Sequence, residues 1–498
     1  MSIPAAQAGA AALLARLTGG EAPVETHISA VFIGRDRVLK LKKAVNLGFL
    51  DFTTPAARHR FTARELEINA PAAPGLYRGL HGISGAADRL LPPDDPEAVD
   101  WALEMAPVPP EDFLDAVAAR GAVDGAMQDR LGDMAVALRA TYPATTTGKD
   151  PVAAFRTVLR GNARAALGAG LEPRRVMAWR RGVERALRRL APVLRVRAAE
   201  SRIRRCHGDL HLGNVLLWRG RPAPFDALEF DEALATIDTG YDLAFLVADL
   251  LHRCGRAAAC RVLSRAVGTG GDAGQVAGLP LWLSTRAMIR AHCLARMAGQ
   301  GEGALAFLAE AEAYLNPPAP RLLAVGGLQG TGKTRLARLL APHLGAAPGA
   351  LHLRSDELRK RLAGVAAEAR LSPGSYTPEA GAAVYQAVLA EAGAALRGGH
   401  SVILDATFLD PSQRAGIEAV AGRAETVRAS RARRRGRARR ARPRNTRVRP
   451  SRWAPSSMAR LRVFMSPTTR ACWTPSTRSI PHLSQTVSSA RTISPAWS

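Results

Sequence analysis

Residues His207-Gly208-Asp209-Leu210-His211-Leu212-Gly213-Asn214 place an aspartate five positions before an asparagine, on a loop after a short apolar run. That spacing suits phosphoryl transfer to an alcohol. The carboxylate of Asp209 can orient a hydroxyl and take its proton, and the amide oxygen of Asn214, one loop turn later, can reach a phosphate-bound cation. Magnesium prefers hard oxygen ligands, so a second acid is needed. Asp226 follows Asn214 by twelve residues, behind Ala-Pro-Phe, a spacing that a strand hairpin can close. A second stretch, Gly327-Leu-Gln-Gly330-Thr331-Gly332-Lys333-Thr334, fits GxxxxGK[ST] in full, between a buried-strand pattern and a helical one. There backbone N–H groups converge on phosphate oxygens, Lys333 reaches the β- and γ-phosphates, and the Thr334 hydroxyl serves magnesium.

Several further residues belong with these. Asp405 closes the apolar run Val402-Ile-Leu and sits where a P-loop fold needs its second metal residue. Asp356 and Arg359, three apart at a helix start, share a face; Asp356 is a candidate to orient an acceptor hydroxyl, and Arg359 to hold a phosphate. Arg414 is a further candidate phosphate contact. In the first stretch, His207 reads as a loop-fixing residue and His211 has no assigned role.

HGDLHLGN, followed by FDALEF and IDTGYDLAFL, resembles the aminoglycoside phosphotransferase group, which has the protein-kinase-like fold; the likeness covers roughly residues 25–315. It implies Asp209 as catalytic base, Asn214 and Asp226 as metal ligands, Lys40 as the strand lysine on the α- and β-phosphates, Glu65 as its helix partner and Ala102–Met105 as the hinge beside adenine. Lys42 and Lys43 compete with Lys40, and Glu67 with Glu65; alternation puts Lys40 and Lys42 on one strand face, so pattern alone does not choose between them. No GxGxxG precedes the lysine; only Gly34 lies near. Residues 320–423 resemble the P-loop kinases of the polynucleotide-kinase and zeta-toxin type. Together these imply an ATP- and magnesium-dependent, bifunctional kinase acting on a small hydroxylated molecule.

The elements that must position these residues follow from the patterning. Residues 5–17 and 56–70 read as helices, the runs around Gly34-Arg35-Asp36 as a hairpin, and 100–105 as a strand. Residues 110–200 and 240–315 are helical. Asn316-Pro-Pro-Ala-Pro320 is a linker. Strand and helix then alternate, which implies a parallel α/β sheet. The expected architecture is a two-lobed kinase-like domain over 1–315 (small lobe about 25–106), a linker at 316–320, a three-layer P-loop domain over 321–423, and a disordered basic tail over 424–498.

Net charge is +26 over 498 residues, but the 73 residues from Thr426 carry 18 Arg and no Lys, Asp or Glu. The basic balance therefore belongs mainly to the tail, so nucleic-acid binding is not expected except through it. A polyanion-binding protein acting through that tail, or a nucleotide-binding regulatory protein, is the alternative function. No apolar run approaches a membrane span, and five scattered cysteines without a CxxC fit a reducing cytoplasm. Seven acids and no Lys or Arg between Pro222 and Leu251 form a stretch that could attract a cationic acceptor such as an amino sugar, or could simply serve local structure. The abrupt loss of every acid and lysine also implies a reading-frame shift near Gly422–Glu425. If so, translating the parent DNA in its other two frames should continue an alternating strand–helix pattern beyond residue 425.

Overall fold

The protein, studied as a computed structural model, is described over residues 2–48, 50–142, 150–433 and 462–465, with side chains to residue 423. Its first lobe starts with α1 (Ala8–Thr18), whose Leu13 and Leu14 pack on an antiparallel sheet. The strands are β1 (Val24–Glu25), β2 (Ser29–Ile33), β3 (Val38–Lys42), β4 (Tyr77–Ser84), β5 (Leu90–Leu91) and β6 (Ala98–Met105), in the order β1-β2-β3-β6-β4-β5. Helix α2 (Pro55–Asn69) lies between β3 and β4 in the chain; Pro55 opens it, and the Thr54 hydroxyl accepts the Ala57 N–H at 3.2 Å. β3 is interior to the sheet. Leu39 and Leu41 point into the α1 side, so Lys40 and Lys42 face the other way, toward α2.

The second lobe is mainly helical: α3 (Leu114–Ala119), α4 (Gly125–Thr141), α5 (Pro151–Gly168) and α6 (Pro173–Ala199) come first. Two short strands and a hairpin follow, namely β7 (Ile203–Arg205), the pair β8 (Val215–Trp218) and β9 (Arg221–Pro224), then α7 (Glu232–Ala235) and β10 (Thr236–Asp238), which pairs with β7. Helices α8 (Thr239–Arg253), α9 (Gly255–Gly270), α10 (Leu279–Ala295) and α11 (Gly301–Tyr314) complete the lobe. Among the described residues, no helix is long and apolar enough to cross a membrane.

After residues 316–320 the chain enters a second sheet. It comprises β11 (Leu322–Gly326), α12 (Lys333–Leu340), β12 (Leu351–Arg354), α13 (Ser355–Leu362), α14 (Pro378–Arg397), β13 (Val402–Ala406), α15 (Pro411–Arg433) and β14 (Arg462–Met465). β12, β13 and β11 run parallel, with every residue of β11 and β13 buried, as strands covered on both faces require. The region assigned to an unstructured tail departs from that expectation in two places. α15 continues to Arg433, because Arg and Ala are good helix formers even without an apolar face, and Arg462–Met465 pairs antiparallel with β11. The rest of that tail lies outside the described residues.

The two units share one core. Leu322, Ala324, Leu351, Leu353 and Leu404 join the same buried cluster as the helices of the kinase-like domain. Edge strand β12 is covered by α9: the His352 N–H donates to Ser264 Oγ at 3.0 Å, and the Cys260 thiol reaches Ala350 O at 3.2 Å. An exposed strand edge is thereby closed by a helix of the other unit. A chain ending at Asn316 would leave that α9 face bare. It is expected to melt at least about 5 °C below the full chain and to bind an apolar dye, both read in a thermal scan.

Candidate active site

The turn after β7 is held by backbone and buried side chains. The His207 and Gly208 N–H groups donate to Asp242 at 3.3 and 2.9 Å. His207 is wholly buried; its Nε2 lies 2.9 Å from Phe225 O, and its Nδ1 accepts the Asp209 N–H at 3.3 Å. These partners assign the proton to Nε2. Burial pushes the imidazole below its ordinary pKa and keeps it neutral, so His207 fixes the loop.

Asn214 donates its side-chain N–H to Asp209 O at 3.0 Å and, more weakly, to Asp209 Oδ2 at 3.4 Å, which leaves the amide oxygen for a cation. The Asn214 carbonyl accepts the Phe225 N–H at 3.0 Å, so the β8–β9 hairpin sets Asp226 beside it. Asp226 adopts φ +58°, in the left-handed region, and its N–H donates to the Tyr77 hydroxyl at 3.0 Å. Asp209 carries His211 Nε2 at 3.3 Å and Arg286 Nη2 at 3.5 Å. Burial would raise its pKa, but His211 and Arg286 outweigh burial and hold it well below the usual carboxylate range.

From the first lobe, Lys40 Nζ lies 2.8 Å from Glu65 Oε1 and 2.6 Å from Asp226 Oδ1. Lys42 Nζ takes the other Glu65 oxygen at 2.7 Å and also pairs with Glu229. The two lysines that share a strand face are placed differently: both meet Glu65, but only Lys40 reaches Asp226, while Lys42 is 2% exposed. Glu67 points outward to Arg64 at 2.7 Å, and Lys43 pairs with Glu25 on the far side. Burial would raise the pKa of Glu65, yet the two ammoniums bring it down to about 2. Lys40 is raised well above its ordinary value by Asp226 and Glu65 against the effect of burial.

The seven-acid stretch forms no free negative field. Asp226 and Glu229 hold the lysines. Asp231 caps α7, and Glu232 takes Arg64 at 2.8 Å. Asp242 holds the loop, and Asp249 accepts the Leu212 N–H at 3.0 Å and Arg253 at 3.0 Å. Asp238 caps α8 through the Gly240 N–H at 2.7 Å and pairs with Arg197 at 2.6 Å; Arg197 also takes Asp272 at 2.7 Å. Because α8 carries Asp242, this buried triad sets the loop that holds Asp209.

In the second unit, Gly330 and Gly332 both adopt φ +81°, a conformation that turns successive N–H groups into the loop, and α12 starts at Lys333. Gly327 opens the loop after β11, and Lys333 folds back onto Leu328 O at 3.1 Å. The Thr334 hydroxyl donates to Asp405 Oδ2 at 2.7 Å, so the two expected metal residues meet. The remaining candidates are placed differently. Asp356 is half-exposed and pairs with Lys360 at 3.1 Å. Arg359 donates to Ser375 O at 3.0 Å and lies over the Tyr376 ring. Arg414 donates to the Phe408 and Leu409 carbonyls at 2.8 and 2.9 Å. Two residues were missed in the sequence: His352, 3.2 Å from Asp405, and Arg354, 2.6 Å from Glu357. Strand alternation aims both at one face, but nothing in their spacing marks them. Arg286 was missed likewise, since it lies 77 residues from Asp209 in a helical stretch.

With this geometry in view, two family models match the chain: "Phosphotransferase enzyme family" over residues 60–259 and "AAA domain" over residues 322–459. Uncharacterized proteins of Mycobacterium tuberculosis (strain H37Rv) and Mycobacterium bovis are 30% identical over 413 residues, 78% of this chain and 79% of each relative. The chain belongs to the phosphotransferase enzyme family. As in its sequence, that domain is joined to an AAA-type P-loop domain, whose match extends beyond residue 423 to residue 459. Among solved structures, a choline/ethanolamine kinase family protein from Mesorhizobium loti is 14% identical and covers 62% of this chain and 95% of its own, with TM-score 0.40. A glucosamine kinase is 18% identical and covers 61% and 83%, with TM-score 0.35.

The loop-setting triad of this phosphotransferase gives a stability test. Arg197→Ala leaves Asp238 and Asp272 buried without their shared cation and should lower unfolding free energy by about 3–5 kcal/mol in urea titration.

Proposed function

We propose that the kinase-like unit transfers the terminal phosphoryl group of ATP, with magnesium, to a hydroxyl of a small acceptor. The observation that carries this reading is one connected set: Asp209 bonded to Asn214, Asn214 bonded through Phe225 to the turn holding Asp226, and Asp226 paired with Lys40 on Glu65. The donor set fits magnesium, since the amide oxygen of Asn214 and the carboxylate of Asp226 are hard oxygens on segments joined by the Phe225 N–H bond to Asn214 O. Bound magnesium–ATP supplies the transferable phosphoryl and neutralises its charge. Lys40, steadied by Glu65, is placed to meet the phosphates, and the main-chain strand at Ala102–Met105 would border the adenine.

Asp209 then aligns the acceptor hydroxyl. Its depressed pKa makes it a weak base that accepts the proton late in the transfer, so orientation is its first contribution. Arg286, stacked 3.6 Å from the Phe245 ring centroid, lines a cavity with His211, Arg290 and Phe307 directly beside Asp209. A cavity so placed suits a small acceptor. Because the acids between Pro222 and Leu251 are engaged, an amino sugar would have to be read by this cavity and not by a diffuse negative field.

The P-loop unit is proposed as a second ATP site: Gly327, Gly330, Gly332 and Lys333 for the phosphates, Thr334 and Asp405 for magnesium, Asp356 for an acceptor hydroxyl and Arg359 for a phosphate. The Thr334–Asp405 hydrogen bond supports it. Free Cys206, Cys254, Cys260 and Cys293 support a cytoplasmic location.

A phosphate-transfer screen over amino sugars, sugars, nucleosides and RNA ends tests this assignment. Asp209→Asn should cut transfer by roughly 10²–10⁴-fold, while Lys333→Ala leaves it in place. Transfer that survives Asp209→Asn but is lost in Lys333→Ala would move the activity to the second unit.

A further inference from the structure

Between the two units lies a cavity of about 140 Å³, walled by α4 and α9 on one side and by α12, β12 and α13 on the other. Four arginines face it: Arg261 and Arg265 from α9, Arg338 from α12 and Arg354 from β12. Their partners differ. Arg261 grips Asp129 with two bonds of 2.7 and 2.6 Å, and Arg265 grips Asp133 with two of 2.7 Å. Arg354 gives Nη1 to Glu357 at 2.6 Å, and its Nε, without a hydrogen-bond acceptor, lies 3.9 Å from Asp405 Oδ2; Asp129 and Glu357 also line the cavity. Arg338 makes no hydrogen bond or ion pair among the described residues.

A partly buried guanidinium without an anion is costly, and a planar donor fork suits phosphate oxygens. We propose that this interdomain cavity binds a small phosphate-bearing anion, held by Arg338 with Arg354 beside it. Burial, followed by the charges of Arg261 and Arg354, pushes Arg338 below its ordinary pKa, and the nearby carboxylates of Asp129 and Glu357 offset this only in part. The position links the two units. His352 forms part of the wall and also contacts Asp405 at 3.2 Å, and Asp405 accepts the Thr334 hydroxyl. An anion here therefore touches residues of the first unit and lies one side chain from the metal pair of the second.

The site is separate from the P-loop, and the test removes the P-loop's contribution first. Inorganic phosphate is titrated calorimetrically into full-length Lys333→Ala at fixed ionic strength. Saturable binding is expected there. It should weaken at least about tenfold when Arg338→Gln is added, the scale of one charged hydrogen-bonding group, and survive when Arg338→Lys is added. If Arg338→Gln unfolds, Arg354→Gln replaces it with the same expected loss. Ribose 5-phosphate is titrated separately: tighter binding than phosphate assigns the site to a phosphorylated metabolite, and equal or weaker binding assigns it to free phosphate. No binding in Lys333→Ala, or binding that Arg338→Gln leaves unchanged, overturns the proposal.

Discussion

The first unit depends on one buried carboxylate that serves two cations. Glu65 is 1% exposed and receives Lys40 on one oxygen and Lys42 on the other. An unpaired carboxylate there would be strongly disfavoured by desolvation; two ammoniums reverse the balance and keep it charged. The consequence is geometric. Lys42 goes on to Glu229 and Lys40 to Asp226, both on the segment that follows the β8–β9 hairpin, so the pair of lysines ties the sheet and α2 of the small lobe to the facing edge of the large lobe. The position of Lys40 is set jointly by both lobes, and any shift between them must redistribute this charge.

The large-lobe side of the cleft is fixed by a second buried network. Arg197 on α6 holds Asp238 and Asp272, Asp238 starts α8, and Asp242 one turn later takes the backbone of the loop that carries Asp209. Charge is used here for position, with each acid paired or bonded to backbone N–H groups. That is why the acid-rich stretch attracts no conclusion about substrate charge. It also separates roles within one loop: His207 is neutral, buried and structural, whereas Asp209 is ionised and half-exposed toward the cavity.

The second unit is built onto the first. Ser264 and Cys260 of α9 satisfy the edge of β12, Arg361 donates to Gly268 O at 2.7 Å, and a common core runs beneath both. The Pro-rich segment 316–320 is a boundary in composition, but the apolar contacts continue across it. Such contact gives the pair of nucleotide-type sites a fixed spatial relation within one chain, which a flexible linker would not provide.

Much of this was legible in the sequence wherever function rests on residues close along the chain. Asp209 with Asn214, and Gly330 with Gly332, Lys333 and Thr334, are set by single loops, so spacing alone determined their grouping. Asp405 followed from its place at the end of the apolar run Val402-Ile-Leu, where a P-loop fold needs its second metal residue. Strand periodicity likewise put Lys40 and Lys42 on one face, and the sequence offered both Glu65 and Glu67 as helix partners. The contact that distinguishes Lys40 required the lobes to meet, because its partner, Asp226, lies 186 residues away. The same holds for Arg286 beside Asp209, for His352 beside Asp405 and for the arginines between the units. Burial and charge pairing over such separations are properties of the packed chain, so only the tertiary structure decided them.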